Sequence, residues 1–356
     1  MTRRVPNTVV TQSGRRRSPT IDDIASLAGV SASTVSRSLS GLGRISDETR
    51  EKVAKAAKDL GYQANRHARS LRLQRSGIIL VLIPDLGNQN YADLLVNLDK
   101  AAFETGYSLM IGHTGVNAAR SDALADDLFT GGIDGIILTS EYCPSRLREH
   151  IADGESLPVI RTLSPTGPDE GIVGVQIDEV RAARDVVEHL ADQGYRRIAH
   201  MSGPTDILVS QLRRQGWEEA LASKGLDYRR VVGTGFRMKD GEAAARSILQ
   251  SDDRPDAVFC ANDEAAYGLI VELQQHGLQV PGDIAVAGFD DLTFSALFSP
   301  PLTTIRLPRR EMADTSIEQL ARLIRGDAVP TQQIVPHQLM IRQSTRASGT
   351  VAKRPG

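Results

Sequence analysis

Polar side chains with defined hydrogen-bonding geometry follow several apolar, strand-like runs. Carboxylate, amide and guanidinium groups suit hydroxyl-rich ligands such as sugars, because each can make paired hydrogen bonds. An aromatic ring, here Phe236 or Trp217, would offer the apolar face on which a sugar stacks. The polar set comprises Asp85, Asn90, Ser140, Arg161, Arg213, Asn262 and Asp290. These residue types predict a binding site for a small polar molecule, the effector.

The same sequence offers little for catalysis. It has no GxGxxG after a strand, no phosphate-binding loop, no GxSxG elbow and no His or Cys residues at metal-binding spacing. Asp290 and Asp291 form an adjacent acidic pair near a predicted strand end, and ligand binding explains them better than acid–base chemistry. We therefore expect no enzyme activity, no metal and no cofactor.

A second group of residues, near the N-terminus, is typical of DNA binding. Two short apolar-periodic segments flank a tight turn at 29–31, which predicts a helix-turn-helix whose second helix enters the major groove. Arg37 on that helix can make two hydrogen bonds to guanine. Ala32 and Ser33 on the same helix are predicted to contact base edges. Thr34 and Ser36 are predicted to contact phosphates.

Capping residues define the helices that would carry these side chains. Thr20, Ser31 and Ser46 are predicted N-caps of three helices, and Gly61 would end the third. The predicted inward-facing residues of the first two helices are Ile21, Ile24, Ala25, Leu27, Ala28, Val35 and Leu39.

Charge divides the chain in the same place. Residues 1–75 hold 15 Lys and Arg against 6 Asp and Glu, a net charge of +9, whereas the remainder has a net charge of −11. A basic head on an acidic body suits DNA binding at one end. Residues 1–18 lack apolar periodicity, and we expect a disordered basic tail. A solvated tail with no DNA contact would explain the same arginines.

After residue 76, strand and helix patterns alternate. Continuous apolar strands such as 78–83, between amphipathic helices such as 208–223, indicate parallel sheets covered on both faces. The alternation restarts near 178, which predicts two doubly wound α/β lobes with a cleft at the carboxyl ends of their strands. We find no export signal and no bilayer-length apolar run, and Cys143 and Cys260 read as free thiols; a cytoplasmic protein is expected.

The sequence resembles the LacI/GalR family of bacterial transcription regulators. The segments that carry the resemblance include IDDIASLAGVSASTVSRSLSG, RISDETREKV and LGYQANRHARSL, and later RRQGWEEAL, FCANDEAAYGL and DIAVAGFDD. The resemblance implies a small all-α helix-turn-helix headpiece at 19–64, a hinge helix or linker at 65–76, a two-lobed periplasmic-binding-protein-like core at 77–346, and a flexible tail at 347–356.

The family's chain path and hinge carry further expectations. The first lobe would comprise about 77–177 and 305–328, and the second about 178–304 and 329–346. In the hinge, Leu71 matches the leucine that such proteins wedge into the minor groove, beside the basic Arg72. An ordinary linker leucine is the alternative.

The resemblance also assigns effector roles. Arg213 matches an arginine that contacts effector hydroxyls or a carboxylate, Asn262 and Asp290 match ligand-binding positions, and Phe236 aligns with a ring-stacking aromatic. Capping of the following helix would explain Asn262 equally well. Arg161 departs from the family, which commonly has an aspartate there. If Arg161 faces the cleft it favours an anionic effector such as a sugar acid or phosphate; otherwise it is a surface arginine paired with Glu141 or Asp169.

The resemblance predicts a repressor of a carbohydrate-catabolism operon that binds operator DNA as a homodimer and is released by a small-molecule effector. The C-terminus has no leucine heptads, which predicts a dimer and not a tetramer. Two alternatives stay open: a corepressor-dependent regulator of the same fold, and a solute-binding protein without a DNA role.

Overall fold

The computed structural model describes residues 19–40, 45–62, 75–115, 117–166 and 171–346. The chain divides into two compact units, residues 1–74 and 75–356. Both predicted tails and nearly all of the predicted hinge, including Leu71 and Arg72, lie outside the described residues.

The described part of the first unit contains three short helices, α1 (Ile21–Ala28), α2 (Ala32–Ser40) and α3 (Asp47–Asp59). Thr20 and Asp23 form a reciprocal capping box at the start of α1, and Gly29 ends that helix with φ +69°. The Ser31 hydroxyl accepts from Thr34 N, and the Ser46 hydroxyl accepts from Thr49 N. The three N-caps predicted from the sequence are therefore confirmed.

The small core of this unit is built from one apolar stripe per helix. Ile24, Val35 and Val53 are fully buried. Leu27 and Leu39, which we expected to face inward, are 55% and 40% exposed. Leu27 lies roughly a third of a turn from the midpoint between Ile24 and Ala25, the buried residues of α1, since each helical residue advances about 100°.

The second unit alternates strands and helices. Its strands are β1 (Ile78–Ile83), β2 (Ser108–His113), β3 (Gly135–Leu138), β4 (Val159–Thr162), β5 (Val173–Gln176), β6 (Ile198–Ser202), β7 (Val231–Thr234), β8 (Ala257–Cys260), β9 (Ala285–Ala287), β10 (Thr304–Arg306), β11 (Gln332–Ile334) and β12 (Gln338–Met340). Its helices are α4 (Gln89–Glu104), α5 (Ala118–Ala125), α6 (Ser145–Ala152), α7 (Glu179–Asp192), α8 (Leu208–Ser223), α9 (Met238–Leu249), α10 (Asp263–Gln275) and α11 (Arg309–Arg325). Within the described ranges, none of the helices combines the length and apolar character needed to cross a membrane.

Six parallel strands form the sheet of the first lobe, in the order β11–β5–β4–β3–β1–β2. The strand β1, second from one edge of this sheet, pairs with β3 so that Leu82 lies beside Leu138. Ile79 and Val81 pack with α4 on one face, whereas Leu80 and Leu82 pack on the other face with residues of α5 and α6. Burial on both faces is why β1 is apolar throughout.

Four parallel strands form the sheet of the second lobe, in the order β7–β6–β8–β9. Helices α7 and α8 cover one face around Phe259, and α9 and α10 cover the other around Val258. Both lobes are therefore doubly wound, and the predicted fold class is confirmed.

The chain passes between the lobes three times, at 177–178, 307–308 and 335–337. The strands β10 and β12 form an antiparallel ribbon that joins the second lobe through a bridge between Ala287 and Thr303. The resemblance placed the last return at 329, which is too early. The strand β11 first pairs with the edge of β5, so the chain leaves the first lobe only after Ile334.

Two glycines allow α9 and α10 to pack at very short distance. A Cβ atom added at Gly268 would lie 1.9 Å from Met238 O, and one added at Gly241 would lie 1.9 Å from Ala265 O. Both obstacles are backbone atoms, which cannot move aside without moving a helix.

We expect Gly268→Ala to destabilise the second lobe by about 1–3 kcal/mol or more, because the added methyl group forces α9 and α10 apart. Urea unfolding followed by the fluorescence of Trp217, the single tryptophan, measures this lobe. Lys239→Ala on the exposed side of α9 is the control, with an expected change within about 0.5 kcal/mol. Equal midpoints for the two variants would contradict the close packing.

Candidate functional site

A cavity of about 1160 Å³ lies between the two lobes, at the carboxyl ends of their parallel strands. Asp85 follows β1 and Ser140 follows β3 in the first lobe, while Asn262 follows β8 and Asp290 follows β9 in the second. Seven of the eight predicted effector residues line the cavity: Asp85, Asn90, Ser140, Arg213, Phe236, Asn262 and Asp290.

Arg161 is the eighth, and its predicted position is wrong. It lies within β4, which continues to Thr162, and its side chain is fully buried. Its Nη2 donates to the backbone oxygen of Glu141 at 2.9 Å. The described residues that line the cavity do not include it. The sheet turns this guanidinium towards the loop after β3, so Arg161 gives no support to an anionic effector.

Phe236, not Trp217, supplies an aromatic face to the cavity. Trp217 is buried in the second lobe, where its indole nitrogen donates to Ile198 O and its ring stacks on His200. Phe236 is partly buried and lines the cavity, as does Tyr91 of the first lobe. The cavity thus has an aromatic side chain on each lobe.

Arg213 is the most constrained charged group of the cavity. It projects from α8 and stacks its guanidinium on Phe289, 3.6 Å from the ring centroid. Its Nε donates to Glu179 Oε2 at 2.8 Å, and its Nη1 donates to Ala261 O at 2.5 Å and lies 3.9 Å from Asp290 Oδ1. A buried guanidinium needs such partners, because an uncompensated charge there would be very costly.

Asp290 connects the lobes at the base of the cavity. It has φ +114°, a conformation that few non-glycine residues adopt. Its Oδ1 accepts a 3.4 Å hydrogen bond from Asn90 Nδ2, and its backbone oxygen accepts from Arg309 Nη2. Burial raises the pKa of Asp290 to about 7, and the nearby Arg213 and Arg309 partly oppose that rise.

Asn262 both caps a helix and lines the cavity, so the capping role that the sequence suggested is confirmed. Its Oδ1 accepts from Ala265 N at the start of α10, and its Nδ2 donates to Phe236 O. The neighbouring Asp263 is fully buried and accepts hydrogen bonds from Ser295 and Thr304. Burial raises the pKa of Asp263 to about 6.

Sequence reasoning missed Glu179 and two contacts that bridge the cavity mouth. Arg237 of the second lobe pairs with Asp85 of the first and approaches Glu264 to 3.7 Å. Glu141 of the first lobe accepts from the backbone nitrogen of Val209 in the second. The partners are far apart in sequence and carry no motif, so only their position directly after strands or before helices hinted at them.

The helix α2 of the first unit presents the predicted DNA-contacting residues on one side. Ser33 and Arg37 are exposed, whereas Ala32, Thr34 and Ser36 are partly buried. Arg37 Nε donates to Ser33 O one turn earlier. The Ser31 hydroxyl lies within hydrogen-bonding distance of the Ser33 and Thr34 hydroxyls, so these small side chains are already ordered at the helix start.

Two family models match the chain in the two units. Residues 20–65 match the bacterial regulatory proteins of the lacI family, and residues 187–345 match the periplasmic binding protein-like domain. The first match falls on the three capped helices, and the second covers most of the second lobe and the return of the chain through the first.

Similar proteins cover nearly the whole chain. It is 31% identical over 331 residues to the HTH-type transcriptional repressor CytR of Escherichia coli (strain K12), covering 92% of this chain and 96% of that protein. A Lac repressor dimer bound to operator and the anti-inducer ONPF matches with a TM-score of 0.83 and 28% identity, over 93% of this chain and all of that one. A complex of the transcriptional regulator CelR with cellobiose matches with a TM-score of 0.68 and 30% identity, over 92% and 99%.

The raised pKa of Asp290 predicts how Asp290→Asn changes stability with pH. A carboxyl whose folded pKa of about 7 exceeds its usual value near 4 costs stability as pH rises through that window. The melting temperature of the variant should therefore equal that of the wild type at pH 4 and exceed it at pH 8. Asp314→Asn, at an exposed ion pair on α11, is the control. Melting curves of Asp290→Asn that run parallel to the wild type between pH 4 and 8 would refute the assignment.

Proposed function

The chain belongs to the lacI family of bacterial regulatory proteins, and we propose that it represses transcription of a carbohydrate-catabolism operon until a small-molecule effector releases it from operator DNA. It acts as a homodimer in the cytoplasm. The observation that carries the proposal is the joint presence of two sites in one chain: the capped helix-turn-helix that matches the family model, and a polar cavity between two lobes.

The helix α2 reads the operator. Two copies in a dimer present two such helices to successive half-sites of a near-palindromic operator. Arg37 pairs with guanine, Ala32 and Ser33 contact base edges, and Thr34 and Ser36 hold phosphates. In the linker, Leu71 enters the minor groove beside Arg72 and kinks the duplex.

The effector is a neutral, hydroxyl-rich molecule of the size of one or two sugar rings. Arg213 already has Glu179 and Asp290 beside it, so it offers hydrogen bonds without a net positive charge. Asp85, Asn90 and Ser140 complete the polar lining, and Phe236 provides an apolar face. The cavity slightly exceeds the range of about 300–1,000 Å³ typical of small-molecule sites. The cellobiose complex of the similar regulator CelR is consistent with this class.

The effector acts by changing the contacts between the lobes. Asn90 with Asp290, Asp85 with Arg237, and Glu141 with Val209 join the lobes around the cavity. A ligand that takes over some of these hydrogen bonds favours a different lobe arrangement only if it binds that arrangement more tightly. In a dimer, a change in the position of the first lobes would alter the spacing of the DNA-binding units.

Fluorescence anisotropy with the promoter DNA beside the protein's own gene tests the proposal directly. Ribose, cellobiose, sugar acids and sugar phosphates are added to the complex one at a time. Release by a neutral sugar supports the proposal, and release by a sugar acid or phosphate would overturn the neutral class. Tighter binding with a compound would establish a corepressor-dependent regulator instead, and no DNA binding under any condition would favour a solute-binding protein.

We expect Arg37→Ala to lose discrimination at one base pair of each half-site, at a cost of about 1–3 kcal/mol per half-site. Anisotropy titrations with operators substituted at single positions measure that discrimination. Arg50→Ala on α3 is the matched control, because it removes an exposed cation of the same unit from a different helix. It should weaken binding to all operators equally; retained discrimination in Arg37→Ala would exclude base reading by Arg37.

Arg213→Lys should weaken effector binding roughly 10-fold or more while operator affinity without effector stays unchanged, because hydrogen bonds to charged groups contribute about 1.5–3 kcal/mol. Lysine keeps the charge that neutralises Glu179 but lacks the planar fork of donors. Calorimetry with the releasing compound gives the affinity. The neighbouring Arg214→Lys, whose side chain pairs with Glu218 at the surface, serves as the control. Loss of operator binding in Arg213→Lys would make Arg213 a purely structural residue.

A further inference from the structure

The buried partner of Arg213 stands directly after the first crossing between the lobes. Glu179 is the first residue of α7, and the crossing at 177–178 precedes it. Its side chain is 3% exposed, and Glu179 is not among the described residues that line the cavity. Arg213 does line the cavity, so Glu179 can act on an effector through its hydrogen bond with Arg213.

The second partner of Arg213 stands beside the second crossing. Asp290 N donates to Ile305 O at 2.9 Å, just before the crossing at 307–308. Arg309 follows that crossing and returns to Asp290 O at 2.6 Å. Asp290 thus holds both ends of the second crossing through its backbone, while its carboxylate lies 3.9 Å from Arg213 Nη1.

One guanidinium therefore links the two crossings. Arg213 lies between Glu179, which follows the first crossing, and Asp290, which is bonded to both ends of the second. Glu179 is 34 residues from Arg213 in sequence, and Asp290 is farther. The three groups are almost completely buried. In such an environment charges interact strongly, so moving one of them away from its counter-charge is costly.

We propose that Glu179 is a positioning residue that couples effector contact at Arg213 to the movement of both crossings. The inference rests on the proposed function, in which Arg213 contacts the effector. Glu179 holds Arg213 Nε, so the orientation of the guanidinium towards the cavity and towards Asp290 depends on it. A ligand that accepts hydrogen bonds from Arg213 then changes the relative strength of its contacts with Glu179 and Asp290. The two connections that set the angle between the lobes shift with these contacts.

The first test needs no effector. Amide hydrogen exchange is measured on the full-length protein as wild type, Glu179→Gln and Glu188→Gln. The control makes the same charge change on the same helix, where Glu188 pairs with the more exposed Arg184. We expect Glu179→Gln to speed exchange roughly 5-fold or more both near 178–181 and at the amide of Asp290 by the second crossing, a coupling at the lower end of the usual range.

Exchange at Asp290 that matches the Glu188→Gln control would overturn the proposal, even if exchange near 178–181 rises, because a local role would disturb only the first crossing. If Glu179→Gln does not fold, Glu179→Asp gives the same comparison with a smaller increase, since it keeps the charge but shortens the reach to Arg213. This readout stands whether or not Arg213 proves to bind an effector.

The second test measures coupling with whichever sugar releases the wild-type protein. The ratio of operator affinity without and with saturating sugar should fall at least roughly 5-fold in Glu179→Gln, remain unchanged in Glu188→Gln and be largely kept in Glu179→Asp. An undiminished ratio in Glu179→Gln would overturn the coupling role. If no sugar releases the wild type, the proposed function fails while the exchange result still decides whether Glu179 links the crossings.

Discussion

A positive charge buried between two lobes has to be neutralised where it lies, and the cavity of this protein is organised around that requirement. Arg213 is surrounded by the carboxylate of Glu179, the carbonyl oxygen of Ala261 and the ring of Phe289, with Asp290 slightly farther away. Desolvation makes the contact with Glu179 necessary, because its loss would leave a buried guanidinium without its closest counter-charge. Burial raises the pKa of Asp290, and the positive charge of Arg213 opposes that rise only in part.

The base and the mouth of the cavity obey different energetics. At the base, Arg213 and Asp290 are nearly inaccessible to solvent, and so is Glu179, which holds Arg213 from behind the cavity wall. At the mouth, Arg237 and Asp85 are 43% and 33% exposed, and an ion pair of that kind contributes little in water. A ligand can therefore displace the mouth contacts at small cost, whereas contacts at the base transmit its presence to the connections between the lobes.

The DNA-binding unit solves a different problem, since three short helices bury very little apolar surface. Its fully buried apolar side chains are Ile24, Val35 and Val53. The capping side chains of Thr20 and Ser46 accept hydrogen bonds from backbone N–H groups that have no partner within their helices. The outer side of α2 does not have to pack against this core, so it can carry small polar residues and Arg37.

The sequence alone determined what depends on neighbouring residues. Helix caps at Thr20 and Ser46, the helix 208–223, the apolar strand 78–83 and the basic head all follow from local spacing and composition, and they sufficed for the fold class. Polar residues after strands also came to line one cavity, because parallel strands bring their carboxyl ends together. The tertiary structure alone decided which way each side chain turns: β4 runs on through Arg161 and buries it, and Arg237 meets Asp85 across 152 residues of sequence. Periodicity reports the face of an element, but pairing between lobes depends on how those elements pack, which no local pattern encodes.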